Sequence, residues 1–229
     1  MAMKARLGRG NGAMAGKGGT RGAPAAASPP IGAVVFDFGG VISAFDVGLF
    51  LRRIAPRAGK PPEEIGSLIY GSKLPVLYES GRISSEEFFA RLAALCGLRM
   101  SEAEFVPAFT EIFTPIESTL SLIRRLKGRY RIGLLSNTNE WHFRSHIATI
   151  PVFPLFDAVT LSYEVKTMKP GERIYRDALD KLGLPPEACV FIDDIAENVA
   201  AARKLSMRAI LYEGHERLVT ALAALSVTA

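Results

Sequence analysis

The sequence predicts an α/β protein with a doubly wound parallel sheet and an inserted helical subdomain. From residue 31 onward, short and nearly continuous apolar runs alternate with helical patterns. Such runs are typical of parallel strands that helices cover on both faces. A stretch from 45 to 115 interrupts the alternation and holds helical patterns alone. The 229 residues, 48% of them hydrophobic, suffice for one large domain with a smaller insert.

Apolar runs mark the strands and helical spacing marks the segments between them. The predicted strands are AVVFD (33–37), RIGLLS (131–136), DAVTLS (157–162), CVFID (189–193) and MRAILY (207–212). Residues 172–183 and 195–205 carry apolar side chains at helical spacing. The first of these helices is predicted to end at Gly183, because Pro185 follows shortly after.

Residues 45–115 are predicted to form a helical cap of about four helices. Two helix starts are marked by capping-box patterns, Ser84 with Glu87 and Ser101 with Glu104. A unit inserted after the first strand is expected above the carboxyl end of that strand, where open α/β sheets bind ligands. The insert is therefore interpreted as a lid over a binding site.

The remaining sequence divides into a tail and a core. Residues 1–30 are rich in glycine, contain five basic side chains and no acidic one, and are predicted to be disordered. Residues 31–44 and 116–229 are the predicted α/β core. The formal charge of +5 arises from the tail, since the rest of the chain has equal numbers of acidic and basic side chains. A neutral core argues against a nucleic-acid partner.

Membrane and redox signals point to the cytoplasm. No run of about 18 apolar residues is present, so the sequence predicts no membrane span. Cys96 and Cys189 fall in an apolar helix and an apolar strand, without the spacing of a disulfide framework or a metal site. Both are interpreted as buried thiols in a reducing, cytoplasmic compartment. The sequence does not predict an oligomeric state.

Polar residues follow three of the predicted strands, at the point where each strand ends. The carboxyl ends of parallel strands meet at one edge of a sheet, so these side chains are expected to share one cavity. Two adjacent carboxylates repel each other unless a cation lies near them. The residues are Asp37, Ser136, Asn137, Asp193 and Asp194.

Together with Lys169, which precedes a proline in a loop, these residues predict a magnesium site for phosphoryl transfer. Mg²⁺ prefers hard oxygen ligands such as Asp37, Asp193 or Asp194 and a backbone carbonyl. Ser136 and nearby amides are suited to phosphate oxygens, and Lys169 is suited to offset charge on the phosphoryl group. Asp37 is the candidate nucleophile.

The order of these motifs resembles the haloacid dehalogenase superfamily with a C1-type helical cap. The resemblance covers residues 33–212 and is carried by FD-x-G, LSNTN, KP and FxDD-x-x-x-N. It is similar most of all to the bacterial glucose-1-phosphate phosphatase (YihX-like) branch. The resemblance implies Mg²⁺-dependent hydrolysis of a small phosphorylated metabolite, such as a sugar 1-phosphate, through an aspartyl-phosphate intermediate.

The resemblance also implies a role for each residue of the motifs. The implied metal ligands are Asp37, the carbonyl of Gly39, Asp194 as the principal carboxylate, and Asp193 in support. The residues implied to act on the phosphoryl group are the nucleophile Asp37, the phosphate-binding Ser136 and Asn137, and the charge-neutralising Lys169.

Gly39 departs from the pattern of the superfamily. Most of its phosphatases have a second aspartate there, which protonates the leaving group and is worth about 10² to 10⁴-fold in rate. Asp46 or a water held by the cap is a candidate replacement, although Asp46 is more typical of a helix N-cap. Glu79 and Arg82 are candidates for contact with the substrate beyond its phosphate.

Two other functions remain open. A 2-haloacid dehalogenase also lacks the second aspartate, but it attacks carbon without a metal and lacks the paired carboxylates of the fourth motif. A catalytically weak binding or regulatory module would keep the fold without turnover. Magnesium dependence and the effect of replacing Asp37 distinguish these functions.

Overall fold

A five-stranded parallel sheet lies at the centre of the chain. The computed structural model describes residues 29–228, so nearly all of the predicted tail at 1–30 lies outside the described residues. In that range the strands are β1 (Ala33–Phe36), β2 (Ser43–Phe45), β3 (Phe113–Pro115), β4 (Arg131–Ser136), β5 (Ala158–Leu161), β6 (Cys189–Asp193) and β7 (Arg208–Leu211).

Helices surround the sheet and also form the segment between β2 and β3. They are α1 (Val47–Ala58), α2 (Pro62–Gly71), α3 (Leu74–Glu79), α4 (Ser85–Cys96), α5 (Glu102–Thr110), α6 (Glu117–Leu126), α7 (Glu140–Ser145), α8 (Ser162–Val165), α9 (Glu172–Leu182), α10 (Ala196–Lys204) and α11 (His215–Ala224). None of the helices within residues 29–228 is long and apolar enough to cross a membrane.

The order of the strands in the sheet is β5-β4-β1-β6-β7, and all neighbouring pairs are parallel. Each strand agrees with its predicted segment to within one residue at either end. The central strand β1 lies between β4 and β6, so the carboxyl ends of these three strands meet at one edge. The predicted fold class is confirmed.

The two faces of the sheet are covered by different helices. Val34 and Phe36 of β1 pack on one side with α6 and α11. Ala33 and Val35 point to the other side, where α9 and α10 cover them. This alternation explains the continuous apolar runs, since every residue of a strand with two covered faces is buried.

Helices α1 to α5 share a hydrophobic cluster of their own, in which Phe50, Leu92 and Phe105 are buried. The chain leaves the sheet through β2 and returns through β3, and these two strands pair antiparallel. The sequence predicted about four helices and no strand here. It did not reveal the two-stranded antiparallel ribbon of β2 and β3, because each of these strands has only three residues. The assignment of 45–115 as a cap stays a prediction.

The two predicted capping boxes differ in the structure. Ser101 accepts a hydrogen bond from the backbone N–H of Glu104, and the Glu104 carboxylate accepts one from the backbone N–H of Ser101, so this box is complete. Ser84 accepts from the backbone N–H of Glu87, while the Glu87 carboxylate pairs with Arg91 instead.

Candidate active site

Three carboxylates meet at the carboxyl edge of the sheet. Asp37 follows β1 directly, Asp193 ends β6, and Asp194 is the next residue. One oxygen atom from each carboxylate lies within 4.8 Å of the other two. Asp37 and Asp193 are buried and Asp194 is exposed. The parallel pairing of β1 with β6 therefore assembles an acidic cluster from two distant parts of the sequence.

Lys169 lies between two of these carboxylates. Its Nζ atom is 2.8 Å from Oδ1 of Asp37 and 2.6 Å from Oδ2 of Asp193, and its side chain is buried. The ammonium group also lies 5.4 Å from the centre of the Phe191 ring, an arrangement that favours a cation. Lys169 thus offsets part of the negative charge of the cluster at short range.

The side chain of Asn137 holds the backbone of Lys169. Its amide oxygen accepts a hydrogen bond from the backbone N–H of Lys169 at 2.7 Å, and its amide nitrogen donates to the backbone carbonyl at 3.0 Å. Ser136, which ends β4, has a hydroxyl whose contact with the Asn137 carbonyl is long, at 3.4 Å. The Ser136 hydroxyl is therefore the freer of these two side chains for binding phosphate.

Asp193 is anchored by the protein itself. Besides Lys169, it accepts hydrogen bonds from the side chain of Asn198, 3.1 Å from each carboxylate oxygen, and from the backbone N–H of Ile195 at 2.8 Å. Sequence reasoning gave no role to Asn198, although it is the asparagine of the fourth motif. Asp194 forms no salt bridge within residues 29–228, so its carboxylate is more available to a cation than that of Asp193.

Asp37 presents one free oxygen. The backbone N–H of Phe38 and the ammonium of Lys169 both bond to Oδ1, which leaves Oδ2 without a hydrogen bond in the described part of the chain. Burial raises the pKa of Asp37 above its usual range, and the charge of Asp193 adds to this effect. Burial and Asp193 likewise raise the pKa of Asp194. In both cases burial is the larger cause, because it disfavours the ionised form of a carboxyl group.

The donor set fits a divalent cation such as Mg²⁺. Gly40 has a φ of +72°, and a Cβ atom at this position would lie 2.2 Å from Oδ2 of Asp194. A residue without a side chain therefore lets the backbone after β1 approach the Asp194 carboxylate closely. Gly39, whose carbonyl is a predicted ligand, belongs to the same turn. Oxygen donors from three carboxylates and a nearby backbone are what Mg²⁺ prefers.

A cavity of about 240 Å³ opens beside this edge. Gly39, Ser136 and Asn137 line it on the sheet side, and residues of α1 to α5 line the other side. Glu79, at the end of α3, is half-buried in this lining, and burial raises its pKa to about 7. The sequence did not reveal α3, the helix that ends at Glu79.

Asp46, the candidate for the missing acid, and Arg82, a candidate for substrate contact, lie outside the cavity. Asp46 is the N-cap of α1: its carboxylate accepts from the backbone N–H of Leu49 and pairs with Arg52 at 2.9 Å. This pair is exposed to solvent. Arg82 is exposed and does not line the cavity. Of the three side chains considered from sequence, Glu79 is the one that lines the cavity.

Comparisons with known proteins agree with this architecture. A model of the haloacid dehalogenase-like hydrolases matches residues 31–205. The chain is 27% identical over 183 residues to D-ribitol-5-phosphate phosphatase of Bacteroides thetaiotaomicron, covering 75% of this chain and 87% of that protein. It is 31% identical over 194 residues to phosphatase MT3486 of Mycobacterium tuberculosis, covering 80% and 88%.

A solved structure shares the fold. It is a haloacid dehalogenase family enzyme of Bacteroides thetaiotaomicron in complex with magnesium and inorganic phosphate, which superposes with a TM-score of 0.73 at 24% identity and covers 80% of this chain and 94% of that one. The family match spans both the first and the last of the strands that carry the acidic cluster. The chain belongs to the haloacid dehalogenase-like hydrolases.

Proposed function

We propose that this chain is a Mg²⁺-dependent phosphatase of small phosphorylated metabolites, with Asp37 as its nucleophile. The observation that carries the proposal is the position of Lys169 between Asp37 and Asp193, with the exposed carboxylate of Asp194 beside them. Two of the relatives above are named phosphatases, which supports the same reaction. The solved structure that contains magnesium and phosphate has the same fold.

Each residue has a chemical task in the proposed reaction. Oδ2 of Asp37 attacks phosphorus, the bond to the leaving oxygen breaks, and an aspartyl-phosphate forms that water then hydrolyses. Lys169 and the Ser136 hydroxyl stabilise negative charge on the phosphoryl oxygens. Asp37, Gly39 and Asp194, with Asp193 behind them, would hold Mg²⁺. The bound ion supplies positive charge that brings the anionic substrate and the nucleophile together.

The position of Asp194 argues against a metal-free dehalogenase. Asp193 has hydrogen-bond donors in the protein, whereas Asp194 is a second negative charge beside it without an ion pair in residues 29–228. An unbalanced carboxylate at this point disfavours catalysis without a cation. The same geometry disfavours a module that has lost turnover, because Lys169 is in direct contact with both Asp37 and Asp193.

The substrate predicted from sequence is a sugar 1-phosphate, and it stays a prediction. Named relatives act on related compounds, such as D-ribitol 5-phosphate and phosphorylated carbohydrates. Hexose 1-phosphates therefore belong in the first panel of substrates.

A cytoplasmic location and the absence of nucleic-acid and membrane partners also stay predictions.

Phosphate release tests the proposal directly. The purified chain is assayed with acetyl phosphate and a panel of phosphate esters, with Mg²⁺ and with EDTA. We expect turnover that requires Mg²⁺ and is lost in Asp37→Asn, while the matched control Asp180→Asn, at an exposed position on α9, retains it. Chloride release from 2-chloropropionate that persists in EDTA would overturn the proposal. So would phosphate release by Asp37→Asn at the wild-type rate.

A further inference from the structure

The cavity beside the acidic cluster shares Ser136 with the proposed phosphate site. Gly39, Ser136 and Asn137 line its sheet side, so a phosphate ester whose phosphorus faces Asp37 would direct its alcohol toward this space. The volume of about 240 Å³ lies below the range of about 300–1,000 Å³ that is common for larger organic ligands. The alcohol is therefore small, of the size of one ring.

The wall of the cavity is rich in aromatic side chains. Phenylalanine rings from five elements line it: Phe45 on β2, Phe50 on α1, Phe88 on α4, Phe109 on α5 and Phe113 on β3. Phe45 is 52% exposed although it is large and apolar. Aromatic side chains that remain open to solvent at a cavity are available for contact with an apolar ligand.

Most polar side chains of the helical wall are already hydrogen-bonded. The Tyr78 hydroxyl lies 2.8 Å from the Ser85 hydroxyl. His142, which lies on α7 and stacks on the Phe109 ring, contacts the amide of Asn139 at 3.0 Å through Nδ1 and the carbonyl of Phe109 at 3.2 Å through Nε2. The Tyr78 hydroxyl and the His142 ring nitrogens therefore already have hydrogen-bond partners within the protein and are less available to the hydroxyl groups of a ligand.

Glu79 and Tyr70 are the exceptions in this wall. The Glu79 carboxyl lines the cavity and forms no salt bridge in the described part of the chain, and its charge contributes to a raised pKa of Tyr70, which lines the same cavity. Burial is the larger cause of that raised pKa. The wall thus offers one small polar patch within an aromatic surface.

The turn after β1 adds a separate observation. A Cβ atom on Gly39 would lie 3.2 Å from the ring of Phe45. Any side chain at position 39 would press on this ring. The ring of Phe45 therefore fills the space into which a side chain of residue 39 would extend. This space is close to the expected position of the leaving group.

We infer that the preferred substrate is a phosphomonoester of an apolar alcohol of about one ring, with at most one further polar group, which Glu79 and Tyr70 contact. This inference rests on the proposed phosphatase function. A polyol would bury hydroxyl groups against phenylalanine rings without partners, whereas a ring such as benzyl would displace water from an apolar surface. This substrate class differs from the phosphorylated carbohydrates of the relatives and replaces the sugar 1-phosphate predicted from sequence.

A matched set of esters tests the substrate class. Benzyl phosphate, ribose 5-phosphate and glucose 6-phosphate are all esters of primary alcohols, so their leaving groups are chemically similar. We expect a kcat/KM about 100-fold higher for benzyl phosphate than for either sugar phosphate. Equal or higher values for the sugar phosphates would overturn the inference. Absence of turnover even with acetyl phosphate and Mg²⁺ would instead overturn the phosphatase function.

Two variants connect the preference to the cavity. Phe45→Ser removes an aromatic ring that is partly exposed, and we expect the ratio of kcat/KM for benzyl phosphate to that for ribose 5-phosphate to fall about 10-fold. Leu95→Ser is the control, because Leu95 is 37% exposed on α4 and does not line the cavity. An unchanged ratio in Phe45→Ser, or an equal fall in Leu95→Ser, would contradict the assignment.

Discussion

Asp193 and Asp194 are adjacent in sequence, yet they have different surroundings. Asp193 is buried and accepts hydrogen bonds from Lys169, Asn198 and Ile195. A buried carboxylate without such partners costs several kcal/mol, so these donors are a condition of its burial. Asp194 is exposed and approaches Gly40 instead. The pair therefore combines a structural anchor with a group that remains available to a cation.

The close approach of Gly40 to Asp194 leads to a prediction for Mg²⁺ affinity. Gly40→Ala would place a Cβ atom 2.2 Å from Oδ2 of Asp194, so the carboxylate must leave its present position in the cluster. We expect the Kd for Mg²⁺, measured by isothermal titration calorimetry, to rise at least about 10-fold, which corresponds to about 1.4 kcal/mol.

A second glycine separates this effect from backbone strain. Gly59 has a φ of +63°, close to that of Gly40, but nothing lies within 4 Å of a Cβ atom there. Gly59→Ala therefore carries a similar cost of about 1 to 2 kcal/mol in stability for a left-handed residue, without a clash. We expect it to bind Mg²⁺ with the wild-type Kd. Equal affinities of both variants would show that Gly40 has no effect on the site.

Helix α3 joins the helical unit to the sheet domain. The carbonyl of Glu79 accepts a hydrogen bond from the Ser162 hydroxyl at 2.6 Å, and the carbonyl of Gly81 accepts one from Lys166 at 2.8 Å. Ser162 begins α8, and its hydroxyl also contacts the backbone of Thr138 after β4. Contacts between α3 and α8 therefore fix the position of Glu79 relative to the strand ends.

Gly81→Ala is expected to loosen this junction. A Cβ atom on Gly81 would lie 2.0 Å from the carbonyl oxygen of Tyr163, in α8, and the residue has a φ of +61°. The backbone must shift, because the contacted atom is itself backbone. We expect amides of residues 74–82 to exchange with solvent at least about 10-fold faster in hydrogen–deuterium exchange mass spectrometry, as local opening becomes easier.

The control for this junction is another helix end. Gly97, the C-cap of α4, has a φ of +71°, and a Cβ atom at this position would meet nothing within 4 Å. Gly97→Ala should strain the backbone equally and leave exchange in residues 74–82 at the wild-type rate. If both variants accelerate this exchange equally, the contact with α8 does not hold α3 in place.

The parts of the site on the sheet were predictable from sequence, whereas the cavity was not. Apolar runs that end in Asp37, Ser136 and Asp193 place these residues at strand ends, and parallel strands bring such ends together. Helix α3 has six residues and starts without a side-chain cap, and the proline in its first turn is its one start signal. A helix this short has little periodicity of its own, so the sequence did not reveal it or the position of Glu79. The contact of Phe45 with the turn at Gly39 depends on the β2–β3 ribbon, whose strands lie far apart in sequence.

At the scale of the whole molecule, the site lies where two hydrophobic clusters meet. One cluster belongs to the sheet, the other to helices α1 to α5, and the cavity has walls from both. Carboxylates from two strands also concentrate negative charge at the same edge. A cation that binds there interacts with the folded chain alone, since the unfolded chain does not bring Asp37 and Asp194 together. Binding must therefore stabilise the fold.

This linkage leads to a prediction about thermal stability and pH. Burial raises the pKa of Asp37 and of Asp194, so without metal these groups make the fold less stable as pH rises from about 4, where the unfolded carboxyls ionise first. Mg²⁺ reverses this effect by binding the ionised form. At about 100 times its Kd it adds about 2.7 kcal/mol, or about 5 to 10 °C in Tm.

Differential scanning calorimetry at pH 8 and at pH 5.5 measures this effect. We expect the rise in Tm caused by Mg²⁺ to be larger at pH 8, because protons compete with the metal as pH falls toward the raised pKa values. Asp194→Asn should raise Tm in EDTA, since a repelling charge is removed, and should lose most of the rise with Mg²⁺. Asp180→Asn keeps the wild-type rise, because this residue is exposed on α9 away from the cluster. A full Mg²⁺ response in Asp194→Asn would mean that the cation binds through other groups.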